Sequence, residues 1–183
     1  MLASYFLLPV LALATPSLYK RDGASITQAI SYVNSNITAV NNTLNTFNKP
    51  KDSITALKIQ VHTTELTKSV NSAASVANAS APLSNSEEFD VATAVLNLQP
   101  NINSLLDNVV AHKPQFGTAI FGFSASPLVK KDLQDAEKAA DAFGAALTPK
   151  LSGAYQQAAP IIVQQIDAKF DEAIKQFSSA SPF

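Results

Sequence analysis

Residues 25–47 read Ser-Ile-Thr-Gln-Ala-Ile-Ser-Tyr-Val-Asn-Ser-Asn-Ile-Thr-Ala-Val-Asn-Asn-Thr-Leu-Asn-Thr-Phe, and the apolar positions in that stretch decide the class of fold. Ile26, Ile30, Val33, Ile37, Val40, Leu44 and Phe47 follow one another at alternating steps of four and three. That spacing sets all seven on one face of an α-helix. The residues between them are Ser, Thr, Asn and Gln rather than charged groups, so the opposite face is polar but weakly charged. Ser25 and Gln28 have the spacing of a capping box at the start of the helix, and Asn48-Lys49-Pro50 closes it.

The same period recurs along the rest of the chain. A second helix is expected from about Pro50–Ser53, with Ile54, Leu57 and Val61 as its early face and Leu66, Val70, Ala73 and Ala77 after a small change of register, up to Ala81-Pro82. Ser84-Asn-Ser-Glu87 is a capping box for a third, with Glu87, Glu88 and Asp90 in the first turn, where the helix dipole favours anions. Its stripe is Val91, Val95, Leu98, Ile102, Leu105 and Val109, with a bend expected at Pro100. Ser126-Pro127 opens a fourth helix carrying Leu133, Ala136, Ala140, Phe143 and Leu147. Thr148-Pro149 opens a fifth carrying Tyr155, Ala159, Ile162, Ile166, Phe170, Ala173 and Phe177, bent at Pro160. No segment combines strand alternation with hairpin turns. The expectation is an all-α protein, an antiparallel bundle of about five amphipathic helices. Stripes built from Val, Ile, Leu and Ala, on helices interrupted by proline, leave room for an elongated apolar cavity along the axis. A packed core is the competing reading.

One connection departs from this composition. Pro114–Pro127, PQFGTAIFGFSASP, holds three of the ten phenylalanines within eight residues. Fenced by prolines and loosened by Gly117 and Gly122, it reads either as a cap over the end of the bundle or as a contact with something apolar outside. Phe121 is the candidate gate.

Residues 1–21 are read as targeting sequence. Leu2–Ala14 is a short apolar run ending in Ala-Leu-Ala, too short to span a bilayer, and residues 1–14 form the expected signal peptide. Residues 15–21 are a pro-segment ending in the dibasic Lys20-Arg21, and residues 22–183 form a single domain, long enough to bury a core. The chain holds 13 Lys and Arg against 14 Asp and Glu. Because Lys20 and Arg21 belong to the leader, the remainder is net −3, which argues against nucleic acid and against an anionic membrane as partner. There is no cysteine, so stability rests on helix packing and thiol chemistry is absent. Asn36, Asn41 and Asn78 open Asn-X-Ser/Thr acceptor sequences and are candidate glycosylation sites in a secreted chain. The C-terminal Ser-Ser-Ala-Ser-Pro-Phe lacks the hydrophobic tail of a GPI signal, so a product released, or held on the wall by other means, is expected.

Groups able to do chemistry are sparse. His62 and His112 are the only histidines, and neither has the i, i+4 partner of a zinc-binding helix. Gly122-Phe-Ser-Ala-Ser126 imitates a nucleophile elbow except at its last position, and no strand precedes it. Glu87-Glu88 and Asp171-Glu172, like the Lys and Asp residues of 130–138, read as solvated helix faces. No metal, no cofactor and no catalytic residue is expected, and the chain reads as a non-enzyme.

The helix opening Ile26-Thr-Gln-Ala-Ile30, the exit Leu44-Asn-Thr-Phe47, Lys113-Pro114, Leu128-Val-Lys-Lys-Asp-Leu133 and Phe143-Gly-Ala-Ala-Leu147 together resemble the layout of the fungal hydrophobic surface-binding protein A family, which includes cell wall galactomannoproteins. The resemblance extends over about residues 22–180. It implies a secreted or cell wall protein that binds fatty acids or other lipids, or adheres to a hydrophobic surface, with cell wall polysaccharide or secreted hydrolases as further partners. The alternative it carries is a structural or antigenic wall mannoprotein without a small ligand. Taken with the stripes, it makes Val33, Ile37, Leu66, Leu98, Ile102, Phe143, Ile166 and Phe170, with Phe121 at the gate, the candidate ligand-lining residues.

Overall fold

The computed structural model describes residues 22–49 and 51–178; the expected signal peptide and dibasic site lie outside them. Five long helices carry the chain: α1 (Gly23–Leu44), α2 (Ser53–Ala79), α3 (Asn85–Ala111), α5 (Ser126–Leu147) and α6 (Gly153–Ser178), with the four-residue α4 (Lys113–Phe116) between α3 and α5. They alternate in direction along the chain, up, down, up, down, up. In space each touches two neighbours in the order α1, α2, α5, α6, α3 and back to α1, so the bundle is a closed ring.

Hydrogen bonds between helices fix the register. Gly23 N donates to Glu87 Oε1 (3.0 Å) and Asn101 Nδ2 to Asn34 Oδ1 (2.8 Å), while Asn108 Nδ2 reaches Asn41 Oδ1 (3.0 Å) and Asn45 Oδ1 (3.1 Å). These pairs climb together, so α1 and α3 run parallel. Gln60 Nε2 to Asp132 Oδ1 (3.2 Å) and Lys150 Nζ to the Ser80 carbonyl (2.7 Å) set α2 parallel to α5. Gln99 to Gln165 (2.8 Å) and the Lys169–Asp107 ion pair (2.8 Å) do the same for α3 and α6. The α1–α2 and α5–α6 seams are antiparallel.

The stripe on α1 holds to its last residue: Ile26, Ile30, Val33, Ile37, Val40, Leu44 and Phe47 are all buried. Its cap differs, because Asp22 rather than Ser25 is the N-cap and accepts from Ser25 N. A carboxylate one residue before a glycine competes better for the orphan amides than a hydroxyl inside the first turn. On α2 the early face is corrected. Ile54 and Val61 are exposed, and the inward positions are Ala56, Ile59, Leu66, Val70, Ala73 and Ala77. Ile59 fits the register of the longer downstream stripe, which overrides Ile54 and Val61 and leaves Leu57 half turned to solvent at the cavity rim. The α3 and α5 stripes lie inward, and Ser84 with Glu87 forms the expected capping box. Ala125, not Ser126, is the N-cap of α5. Thr148–Lys150 is a single 3-10 turn that ends α5 rather than opening α6. Pro100 and Pro160 sit exposed inside continuous helices. Glu88, expected on a solvated face, is 3% exposed and accepts from Ser152 Oγ (3.1 Å).

The α5–α6 seam is close. A methyl group on Gly144 would stand 2.6 Å from Val163 Cγ2. Glycine to alanine inside a helix ordinarily stabilises by about 1 kcal/mol, but overpacking costs about 1–3 kcal/mol. Gly144→Ala is therefore expected to lower the melting temperature by a few degrees, and Val163→Ala in the same chain to restore it. A rise in the single variant, read by thermal unfolding, contradicts this packing.

Candidate functional site

A ring of five helices has an axis that no helix occupies. A cavity of about 680 Å³ runs along it, within the roughly 300–1,000 Å³ typical of small-molecule sites. All five long helices line it, through positions such as Ile30, Val40, Leu66, Leu98, Leu105, Ala140 and Ile162. Small residues account for much of the room: Ala92, Ala136, Ala140, Gly144, Ala154, Ala158 and Ala159 all face it.

The structure places Val33, Ile37, Leu66, Leu98, Ile102, Phe143, Ile166, Phe170 and Phe121 on this wall. Absent from the sequence-derived stripes are Ala56 and Ile59 of α2 and, at the lower end, Thr148 and Leu151; Leu57 and Leu147 are stripe members that also line the cavity. The polar positions are absent from them too. Asp132, which has the sequence pattern of surface charge, lines the cavity, half-buried, and accepts from Gln60 Nε2. Burial holds its carboxyl above the ordinary aspartate range, opposed by the Gln60 hydrogen bond. Ser53, Gln60 and Thr63 on α2, with Asp132 on α5, make a small polar strip toward the upper end. The only sequence signal for it is their place at helical spacing just above the apolar stripe.

The upper end is closed by aromatic rings. Phe47 and Phe116 lie 5.1 Å apart, tilted; Phe116 and Phe177 meet edge to face at 6.1 Å; His112 stacks on Phe47 at 6.4 Å. Phe116 is thus the cap expected of the Pro114–Pro127 stretch. Phe121 and Phe123 are not: they are 85% and 76% exposed. Beside them the cavity opens, since Leu57, Ile120, Phe121 and Leu128 line it and remain exposed. A second exposed piece of wall, Leu96 with Ala154 and Ala158, lies between α3 and α6.

Neither histidine faces the cavity. His62 Nδ1 bonds Thr43 Oγ1 (2.8 Å) and His112 Nδ1 the Asn108 carbonyl (2.8 Å). Among the described residues no group of three or more His, Asp or Glu could hold a metal ion, and no helix is long and apolar enough to cross a membrane. The glycosylation candidates sit on α1 and α2: Asn36 Nδ2 donates to the Tyr32 carbonyl (3.0 Å), Asn41 Oδ1 accepts from Asn108, and Asn78 is exposed. Asn41 also lines a polar groove between α1 and α3, with Asn42, Asn45, Asn101 and Asn108.

Behind the cavity wall, the outer side of the α5–α6 seam gathers Glu137, Asp141, Asp167 and Asp171 with one lysine, Lys138, in range. Burial first, then the Asp141 carboxyl, pushes Asp167 up to about 6. A folded-state value above the unfolded one means that ionisation opposes folding. This contribution to stability is complete below about pH 4 and is lost as pH rises through 6. Asp167→Asn is expected to raise the melting temperature at pH 7 by a few degrees, leave it unchanged at pH 4, and flatten the pH 4–6 profile. A variant whose profile parallels the parent's would refute the assignment.

The family model described as hydrophobic surface binding protein A matches residues 23–149. Among solved structures, AFMP4P in complex with palmitic acid is 30% identical, with a TM-score of 0.80 over 85% of this chain and 99% of that one. Ligand binding domain 1 of the Penicillium marneffei MP1 protein, complexed with arachidonic acids, gives 0.75 at 16% identity over 85% and 98%. Domain 2 of the same protein, with multiple arachidonic acids, gives 0.77 at 17% identity over 88% and 99%; these two show the fold alone. No curated protein sequence matches the chain.

Proposed function

This chain belongs to the hydrophobic surface binding protein A family, and we propose that it is a secreted, non-catalytic protein that encloses the acyl chain of a fatty acid. The observation that carries the reading is the cavity: about 680 Å³, opening beside the aromatic cap, and lined almost wholly by apolar side chains from all five long helices. Its length lies along the bundle, which suits a linear chain rather than a compact ring system. Each buried methylene contributes roughly 0.8 kcal/mol, so a long tail supplies the affinity without a strong polar anchor, less the cost of association. The palmitic acid held by AFMP4P, at 30% identity, is a ligand of the same class.

The nine wall positions from Val33 to Phe170 would touch the chain, with Phe121 at the mouth. The polar strip Ser53, Gln60, Thr63 and Asp132 would meet the head group near the upper opening. A wall mannoprotein with a merely packed core, the competing reading, has no use for a cavity of this size.

Palmitate at about a hundredfold excess over its dissociation constant should stabilise the protein by about 2.7 kcal/mol, a rise of roughly 5–10 °C in melting temperature. Ala140→Trp, which fills the middle of the cavity, should keep the helical signal and lose at least tenfold in affinity. A protein that is lipid-free as secreted, by native mass spectrometry, and shows no shift with palmitate would leave the packed-core reading standing.

A further inference from the structure

The two rings that leave the bundle do so at a conformational cost. Ile120 N donates to the Phe123 carbonyl (3.1 Å) and Phe123 N to the Ile120 carbonyl (2.8 Å), closing a two-residue turn. Its central residues, Phe121 at φ 49° and Gly122 at φ 95°, both lie in the left-handed region. Such turns favour Asn-Gly because a side chain with a Cβ is strained there. Phenylalanine in that position costs on the order of 1 kcal/mol, and its ring recovers little from packing while it stands 85% exposed. The turn is nonetheless held in place. Ser53 Oγ donates to the Ala119 carbonyl (2.7 Å) and accepts from Phe121 N (3.1 Å), fixing it to the first turn of α2.

Around this tip the exposed surface is apolar and then basic. Ile54 (72% exposed) and Leu57 (65%) extend the patch along α2, and Leu128 continues it on α5. Lys51 lies over the turn, its Cε 3.9 Å from the position of a Cβ on Gly122. Lys49 and Lys58 both act on Asp52, the N-cap of α2. The three lysines are exposed, and none closes a salt bridge among the described residues. One acid thus stands among three bases, in a chain whose net charge is negative. The acidic group Glu137, Asp141, Asp167 and Asp171 lies on the outer side of the α5–α6 seam. At physiological salt, exposed charges further apart than about 8 Å are largely screened, so the local collar and not the net charge decides what the tip meets.

We propose that this tip docks on an anionic lipid bilayer, inserting Phe121 and Phe123 while Lys49, Lys51 and Lys58 rest on the head groups, and so loads or unloads the cavity by direct contact. The mouth is continuous with the patch: Leu57, Ile120, Phe121 and Leu128 are at once cavity wall and exposed surface. A chain leaving the bilayer would pass between apolar groups without crossing water. The proposal rests on the cavity holding an acyl chain, but the docking itself does not.

The test uses phosphatidylcholine vesicles with and without 30% phosphatidylglycerol, and a fluorescent fatty acid carried by the protein. Co-sedimentation of the unloaded protein should require the anionic lipid and weaken with salt. The transfer rate should rise in proportion to vesicle concentration and with anionic content. Phe123→Ser and Lys51→Glu lie outside the cavity wall. The first should slow transfer about tenfold, the worth of one buried aromatic side chain; the second should slow it by roughly fivefold or more. Both should leave the equilibrium affinity for the fatty acid unchanged. A rate independent of vesicle concentration, equal rates on neutral and anionic vesicles, or unchanged rates in both variants overturns the proposal. So does a concentration-dependent dimer that Phe123→Ser dissolves, which would assign the patch to a second copy. Binding of vesicles without binding of fatty acid would instead defeat the function proposed above and leave the docking surface intact.

Discussion

Closure of the ring is the constraint on which the rest of the molecule depends. Helices pack with axes about 8–10 Å apart, and for a regular ring at that spacing the central axis lies on the order of 8 Å from each of five helices, against about 6–7 Å for four. A helix with its side chains reaches about 5–6 Å from its own axis. Four helices therefore fill their centre with ordinary Leu and Val, whereas five do so only with long or aromatic residues. Here the inward positions are mostly Val, Ile, Leu and Ala, and α5 and α6 offer a run of alanines and a glycine. The cavity follows from the helix number and this choice of side chains together.

The lower and upper ends of the ring solve closure by different chemistry. Below, polar groups seal it: Glu87 ties the start of α1 to that of α3, buried Glu88 takes the Ser152 hydroxyl, and Lys150 donates to the carbonyls of Asn78 and Ser80. These bonds are directional and spend backbone groups that helix ends would otherwise leave unpaired. Above, Phe47, Phe116, Phe177 and His112 close it by ring packing, which is less directional and tolerates displacement. An opening for an apolar ligand belongs at the second kind of end, and the exposed apolar rim is found there.

How much of this was legible in the sequence depended on whether local pattern or tertiary register decided the outcome. The α1 stripe was read residue by residue because seven apolar positions in strict spacing admit one face. On α2, Ile54, Leu57 and Val61 form an equally regular local triad, yet the helix turns Ile54 and Val61 outward and leaves Leu57 at the rim of the cavity, because the ring needs Ala56 and Ile59 inward. No local signal outweighs that. Eight of the wall positions, all but Phe121, are stripe members of different helices, and their convergence on one cavity reflects a general property: in a ring, the centre of every stripe faces the same axis. Asp132 could not be found that way, since a carboxylate beside Lys130 and Lys131 has the pattern of a solvated face; only the parallel register of α2 and α5, which brings Gln60 opposite, turns it inward.

The Pro114–Pro127 stretch shows why a choice between cap and contact was too narrow. Phe116, in a helical turn just after His112, points down and packs on Phe47 and Phe177; five residues later the chain has reversed and Phe121 points out. The reversal needs two successive left-handed residues, and only the second is glycine. Had the tip served merely to join α4 to α5, Asn or Gly at 121 would do so with less strain and less exposed apolar area. A strained and exposed phenylalanine, in a turn that Ser53 holds by donating to the Ala119 carbonyl and accepting from Phe121 N, is costly in the free protein. The same segment thus closes the cavity with one ring and extends its wall into solvent with another.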